Sequence, residues 1–122
     1  MPNKVMNRLR LIKMYTLTLT VDVVRFIFYC CPDLVELRLN HCTVSKDVIE
    51  HISKISKNVS SPMRQLRLMG YFKDLLDMWV EFVSKFRNLK EILVAKDCGG
   101  TDSLVKELAE RCPYAKVKLY QS

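Results

Sequence analysis

Leu34-Val35-Glu36-Leu37-Arg38-Leu39-Asn40-His41-Cys42 sets leucines at the first, fourth and sixth of nine positions and ends on a cysteine. Leu37 and Leu39 alternate with Glu36, Arg38 and Asn40, the period-2 pattern of a strand with one buried face. The same figure returns along the chain. Met63-Arg64-Gln65-Leu66-Arg67-Leu68-Met69-Gly70-Tyr71 keeps the three apolar positions, and Leu89-Lys90-Glu91-Ile92-Leu93-Val94-Ala95-Lys96-Asp97 is a further copy. Upstream, Leu9-Arg10-Leu11 with Met14 reads as the first copy, and Val117-Lys118-Leu119 begins the last. Counted from the first apolar residue of each alternating pair, the spacings are 28 (Leu9 to Leu37), 29 (Leu37 to Leu66), 26 (Leu66 to Ile92) and 25 (Ile92 to Val117). A period in this range means stacked supersecondary units that share one core.

The segments between the copies carry helical periodicity. Val23, Val24, Ile27, Phe28 and Cys31 form one stripe, stopped by Pro32. Val48, Ile49, Ile52 and Ile55 form the next, with Ser45 as N-cap and Asp47 in the first turn. Leu76, Trp79, Val80 and Val83 make a third. Leu104, Val105, Leu108, Ala109 and Cys112 make a fourth, opened by Thr101 as N-cap and closed by Pro113. Ser56 to Pro62 reads as a polar loop. The expected fold class is therefore α/β, with about five parallel strands and four helices behind them, in a single domain spanning residues 1–122. Its repeat cores fall near residues 9–14, 34–42, 63–71, 89–97 and 114–120.

Composition agrees with a folded domain. The 122 residues are 49% hydrophobic and 27% charged, which excludes a disordered segment. Three glycines and four prolines are too few for a turn-rich sandwich. Five cysteines, an odd number with no apolar leader before them, point to a reducing compartment, cytoplasmic or nuclear, or else the mitochondrial matrix. The first 21 residues hold Lys4, Arg8, Arg10 and Lys13 without an acid, faintly like a mitochondrial targeting segment. No run of apolar residues is long enough for a membrane span, so a soluble protein is expected.

Two family resemblances attach to these residues. Cys31-Pro32-Asp33-Leu34 leading into the nine-residue figure, and Arg111-Cys112-Pro113-Tyr114 leading into the last copy, resemble the cysteine-containing leucine-rich repeats of F-box proteins. That resemblance implies a leucine-rich-repeat solenoid with strands on a concave face and helices on a convex one, used for partner recognition. It implies a Skp-type adaptor as partner only if F-box sequence lies upstream. Phe86-Arg87-Asn88-Leu89-Lys90 before an apolar triplet is also similar to the penultimate repeat of mitochondrial ATP synthase subunit s (factor B) and the distal membrane-arm assembly proteins. This second resemblance implies a structural subunit or assembly factor within a large complex.

Binding is expected on the strand face turned away from the helices. Between the two core positions of successive repeats stand Arg10, Arg38, Arg67, Leu93 and Lys118. The column before them reads Arg8, Glu36, Gln65, Glu91 and Lys116, and the column after them Ile12, Asn40, Met69, Ala95 and Tyr120. Parallel strands about 4.8 Å apart would set three arginines in a row. With a net charge of +7, that row suits an acidic protein surface, through Arg10, Arg38, Arg67, Glu36, Glu91, Lys118 and Tyr120. A merely solvated face is the competing reading. Two like charges near 5 Å in water repel by only about 0.8 kcal/mol, and the glutamates compensate. Phe26 and Tyr29, off the stripe of the first helix, and Leu75, Met78 and Phe82, beside that of the third, are expected as exposed apolar contacts.

Other chemistries lack their residues. Adjacent Cys30 and Cys31, with His41 and His51, fit no zinc spacing. Cys31, Cys42 and Cys112 occupy core positions as structural thiols. Gly99-Gly100-Thr101 lacks the lysine and glycine spacing of a phosphate loop. No acid, base and nucleophile converge, so no enzyme activity and no cofactor are expected. The cations are spread without an aromatic platform, which argues against RNA or other nucleic acid as the partner.

Overall fold

A computed structural model describes residues 8–58, 63–72, 75–96 and 99–121. Among them the chain runs β1 (Leu11–Tyr15), β2 (Thr18–Leu19), α1 (Val21–Cys30), β3 (Glu36–Asn40), β4 (Thr43–Val44), α2 (Lys46–Asn58), β5 (Gln65–Met69), α3 (Leu76–Ser84), β6 (Glu91–Ala95), α4 (Thr101–Arg111) and β7 (Lys116–Tyr120). Strands β1, β3, β5, β6 and β7 form an open, all-parallel sheet in that order, and β2 and β4 pair in a small second sheet. The fold is mixed α/β with four helices among the described residues, as the alternating pattern predicts.

Alternation decides which face is buried. Leu37, Leu39, Leu66, Leu68, Ile92 and Val94 are inaccessible to solvent, while the residues between them are half-exposed. Helices cover the buried face in a row, α1 on α2, α2 on α3 and α3 on α4. Aromatic rings fill the space between α1 and α3. Phe72 meets Trp79 edge-on, Trp79 meets Phe82, Phe82 meets Phe86, and Phe86 stacks on Phe28 at 5.4 Å. Such pairs add roughly 0.5–1.5 kcal/mol each beyond the area they bury.

Three expectations are corrected here. The first repeat is shifted three residues downstream: Ile12 pairs with Leu37 and Met14 with Leu39, so Leu9-Arg10-Leu11 is not its core. The first period is then 25, from Ile12 to Leu37, and Thr18–Leu19 match Thr43–Val44 at the same separation. Thr16 and His41, again 25 apart, share a left-handed backbone at φ 55 and 54 that turns each long strand into its short partner. The second correction is Phe82, fully buried at the centre of the ring cluster; Leu75 and Met78 are half-buried. Third, Thr101 is the first residue of α4, not its cap. Gly100 takes the cap position at φ 81, and Thr101 Oγ1 donates to the carbonyl of Ala95.

The remaining caps and ends follow the sequence reading more closely. Thr20 accepts from the Val23 amide to open α1, and Ser45 accepts from Val48 to open α2. Helix α2 runs to Asn58, so the polar loop begins later than Ser56; residues 59–62 lie outside the described residues, as does the side chain of Ile55. Ala109, expected on the stripe of α4, is exposed. Cys31, Cys42 and Cys112 are buried, and burial raises the pKa of Cys31 and Cys112 and disfavours their thiolates. Cys42 Sγ lies 3.4 Å from the carbonyl of Met14, one repeat upstream.

Candidate functional site

Sheet register sets the open face. Leu11, Glu36, Gln65, Glu91 and Lys116 are aligned across the five strands, and so are Lys13, Arg38, Arg67, Leu93 and Lys118. A third line holds Tyr15, Asn40 and Met69, with Ala95 beside Tyr120 on the last two strands. The expected arginine row is real for Arg38 and Arg67. Arg10 does not join it: it lies before β1, exposed, and its carbonyl accepts from the Val35 and Glu36 amides. Lys13 stands where Arg10 was expected, so the row keeps its charge pattern with a lysine at one end.

The glutamates tie this row together. Arg38 donates through Nε to Glu36 Oε2, and that bond raises the Arg38 pKa above the ordinary guanidinium value. Arg67 Nε, one strand over, lies 3.3 Å from the same oxygen. Glu91 accepts from Gln65 Nε2 at 2.8 Å and pairs with Lys118 Nζ at 3.1 Å. The Gln65 bond and then the Lys118 bond hold its carboxyl below the usual carboxylate range. In the two central lines, Lys13, Arg38, Arg67, Lys116 and Lys118 face Glu36 and Glu91, so cations outnumber acids five to two. A solvated face would tolerate this excess at small cost. The excess nonetheless gives the face a positive sign.

Beyond the row, at the carboxyl ends of the strands, a groove of 290 Å³ is lined by Tyr15, Arg38, Asn40, Arg67, Met69 and Tyr120, with Leu39 and Gln121 completing it. Arg67 lies over the Tyr120 ring, its guanidinium carbon 5.6 Å from the centroid. The volume is at the small end of ligand sites. Its walls mix guanidinium, amide, thioether and phenol groups. Such a lining can hold an anion and the apolar residue beside it.

No family model, curated protein or solved structure matches the chain.

Among the described residues no three His, Cys, Asp or Glu side chains gather as a metal site, and no helix is long and apolar enough to cross a membrane. Sequence reasoning missed Lys13 and Tyr15 because it placed the first strand three residues early. The signal that finds them is the Thr18–Leu19 pair, which repeats Thr43–Val44 at a spacing of 25. The expected apolar contacts divide. Phe26 (39% exposed) and Tyr29 (47%) lie at the surface of α1, near Leu11, Tyr15 and Leu17 in sequence and likewise exposed, whereas Phe82 contributes nothing to the surface.

Proposed function

We propose that the chain is a short leucine-rich-repeat solenoid acting as a non-enzymatic protein–protein interaction module, binding an acidic segment of a partner on its open sheet face. One observation carries this reading: Lys13, Arg38 and Arg67 stand side by side in register, next to a groove walled by Tyr15, Met69 and Tyr120. Guanidinium groups on a rigid sheet recognise carboxylates with little ordering cost, and flanking tyrosines add apolar contact. The resemblance to F-box leucine-rich repeats supports the same use; a role in ubiquitin ligation, through a Skp-type adaptor, further requires an F-box upstream. The test is affinity capture of the tagged full chain from its native source, beside the Arg38→Glu/Arg67→Glu variant, with quantitative mass spectrometry. Loss of acidic partners from the variant is expected, and an unchanged partner set removes the reading.

A second reading is supported by the exposed apolar residues of the first strand and helix and the turn after β1, Leu11, Leu17, Phe26 and Tyr29. In it the module is a permanent subunit or assembly factor of a mitochondrial complex, in keeping with the second resemblance. Exposed apolar surface of this kind suits obligate assembly. Fractionation separates the two: co-migration with a megadalton matrix complex favours the subunit, and a cytoplasmic or nuclear pool favours the recognition module.

A further inference from the structure

Glu36 Oε2 is shared by two guanidinium groups. It accepts from Arg38 Nε on its own strand, and Arg67 Nε lies 3.3 Å away on the next. The second contact is an ion pair without hydrogen-bond geometry, and Arg67 Nε is buried with no acceptor for its proton among the described residues. A buried donor on a charged group is costly to leave in this state. Two of the cations lining the groove therefore share one anion that lies beside it, and Arg67 is the less satisfied of the two.

We propose that Glu36 is a specificity-determining residue, which sets the Arg38–Arg67 groove to take a single carboxylate from an extended peptide and to reject a phosphoryl dianion. This rests on the reading of the open face as a peptide-binding surface and goes one step further, to the charge of the ligand. A carboxylate brings one negative charge and balances the Glu36–Arg38–Arg67 triad, two cations against one anion. A phosphorylated residue brings nearly two at pH 7, and its excess falls beside the Glu36 carboxylate. Repulsion between like charges a few ångströms apart is large where the medium is partly protein and water is partly excluded. Met69, Tyr15 and Tyr120 then receive the apolar neighbour of the bound acid. The carboxylate can come from a glutamate side chain or from a chain terminus, and the groove chemistry is the same for both.

The test is a titration of the isotopically labelled full chain, followed by NMR at the Arg38 and Arg67 Nε–H signals and the β3 and β5 amides. Three peptides serve as probes: acetyl-Ala-Leu-Glu-Leu-Ala-amide, its counterpart with phosphoserine in place of glutamate, and acetyl-Ala-Leu-Ala-Leu with a free terminal carboxylate. The wild-type chain is expected to bind one or both carboxylate peptides at least as tightly as the phosphopeptide. Glu36→Gln keeps the side-chain shape and removes the charge, and it should shift the preference toward the phosphopeptide by about tenfold. A wild-type preference for the phosphopeptide, or an unchanged ratio in Glu36→Gln, overturns the inference while leaving peptide binding on this face intact. Binding of none of the three removes both. Should Glu36→Gln not fold, the wild-type ratio decides alone.

Discussion

The Arg67 guanidinium reaches from β5 across β6 to lie over the Tyr120 ring of β7, 5.6 Å from its centroid. At that level β6 presents Ala95, a small and fully buried residue aligned with Tyr120. The contact links the middle of the sheet to its edge and fixes one wall of the groove. Replacing the ring by a leucine keeps apolar bulk and removes the π face. Tyr120→Leu should cost about 0.5–1 kcal/mol, read from urea unfolding followed by Trp79 fluorescence. A double-mutant cycle with Arg67→Gln isolates the pair. Zero coupling would mean that the ring fills space and does not hold the arginine.

Neighbouring residues on β6 should respond very differently to the same truncation. Ile92 is inaccessible to solvent in the core, whereas Leu93 beside it faces outward and is half-exposed. Ile92→Ala should lose about 2–5 kcal/mol through lost burial and a residual cavity. Leu93→Ala should lose under about 1 kcal/mol, as surface changes do. Equal losses would contradict the assigned faces of the strand.

The two glycines before α4 have separate reasons to be glycine. At Gly100 the backbone is left-handed, φ 81, and Gly100→Ala should cost about 1–2 kcal/mol from the strained conformation alone. Gly99 instead lies under the Tyr71 ring, which a methyl group would strike. Tyr71 is 60% exposed, so its ring can swing into solvent, and Gly99→Ala should cost less than Gly100→Ala. Thermal unfolding of the two variants orders them; the reverse order would show that the Tyr71 ring is held in place.

Which parts of this structure were legible follows from how many independent signals each residue carries. Leu37, Leu39, Leu66 and Leu68 have both alternation and a repeat partner, and their strands fall where both say. In the first repeat, Leu9-Arg10-Leu11 and Ile12-Lys13-Met14 each read apolar, basic, apolar, so alternation cannot choose between them. The hydrogen-bonded pairing of Ile12 with Leu37 chooses, and with it Lys13 replaces Arg10 in the basic row. Phe82 was misplaced for a different reason. Helical spacing locates a side chain on a helix but does not locate its neighbours, and here Trp79 and Phe86 both meet its ring in edge contacts. The sharing of Glu36 by two arginines lies beyond sequence, because it depends on side-chain reach between strands.

Glu81 gives the fold a measurable acid limb. Its carboxylate pairs with Arg111 of α4 at 2.8 Å and with Lys85 at 3.3 Å, and the Arg111 bond, then Lys85, lowers its pKa from the ordinary 4.5. A carboxyl with a depressed folded pKa adds stability above its unfolded value, and that increment is lost as pH falls through the folded value. The pair is partly solvent-exposed, which screens it and keeps the increment small. Wild type should therefore be more stable than Glu81→Gln at about pH 6, and the two should converge at about pH 2.5. Urea midpoints at both pH values check this. A gap that persists in acid would assign the effect to packing between α3 and α4.

The β1 edge carries the last prediction. Among the described residues no strand pairs with the outer side of β1, and Leu11, Tyr15, Leu17, Phe26 and Tyr29 are exposed near it in sequence. An open parallel edge presents unpaired amide and carbonyl groups, and a lysine on such an edge opposes strand-to-strand addition. Lys13 is that lysine, at the centre of β1. Self-association at micromolar concentration should therefore proceed through the apolar side chains of α1 more than through the sheet edge. Phe26→Ser/Tyr29→Asp should reduce it, whereas Lys13→Val, which removes the edge charge, should increase it. Sedimentation velocity over a hundredfold range of concentration separates these effects. A clean wild-type monomer throughout would mean that the chain covers this surface by itself, and a Phe26→Ser/Tyr29→Asp variant that associates as strongly as wild type would move the contact from α1 to the strand edge.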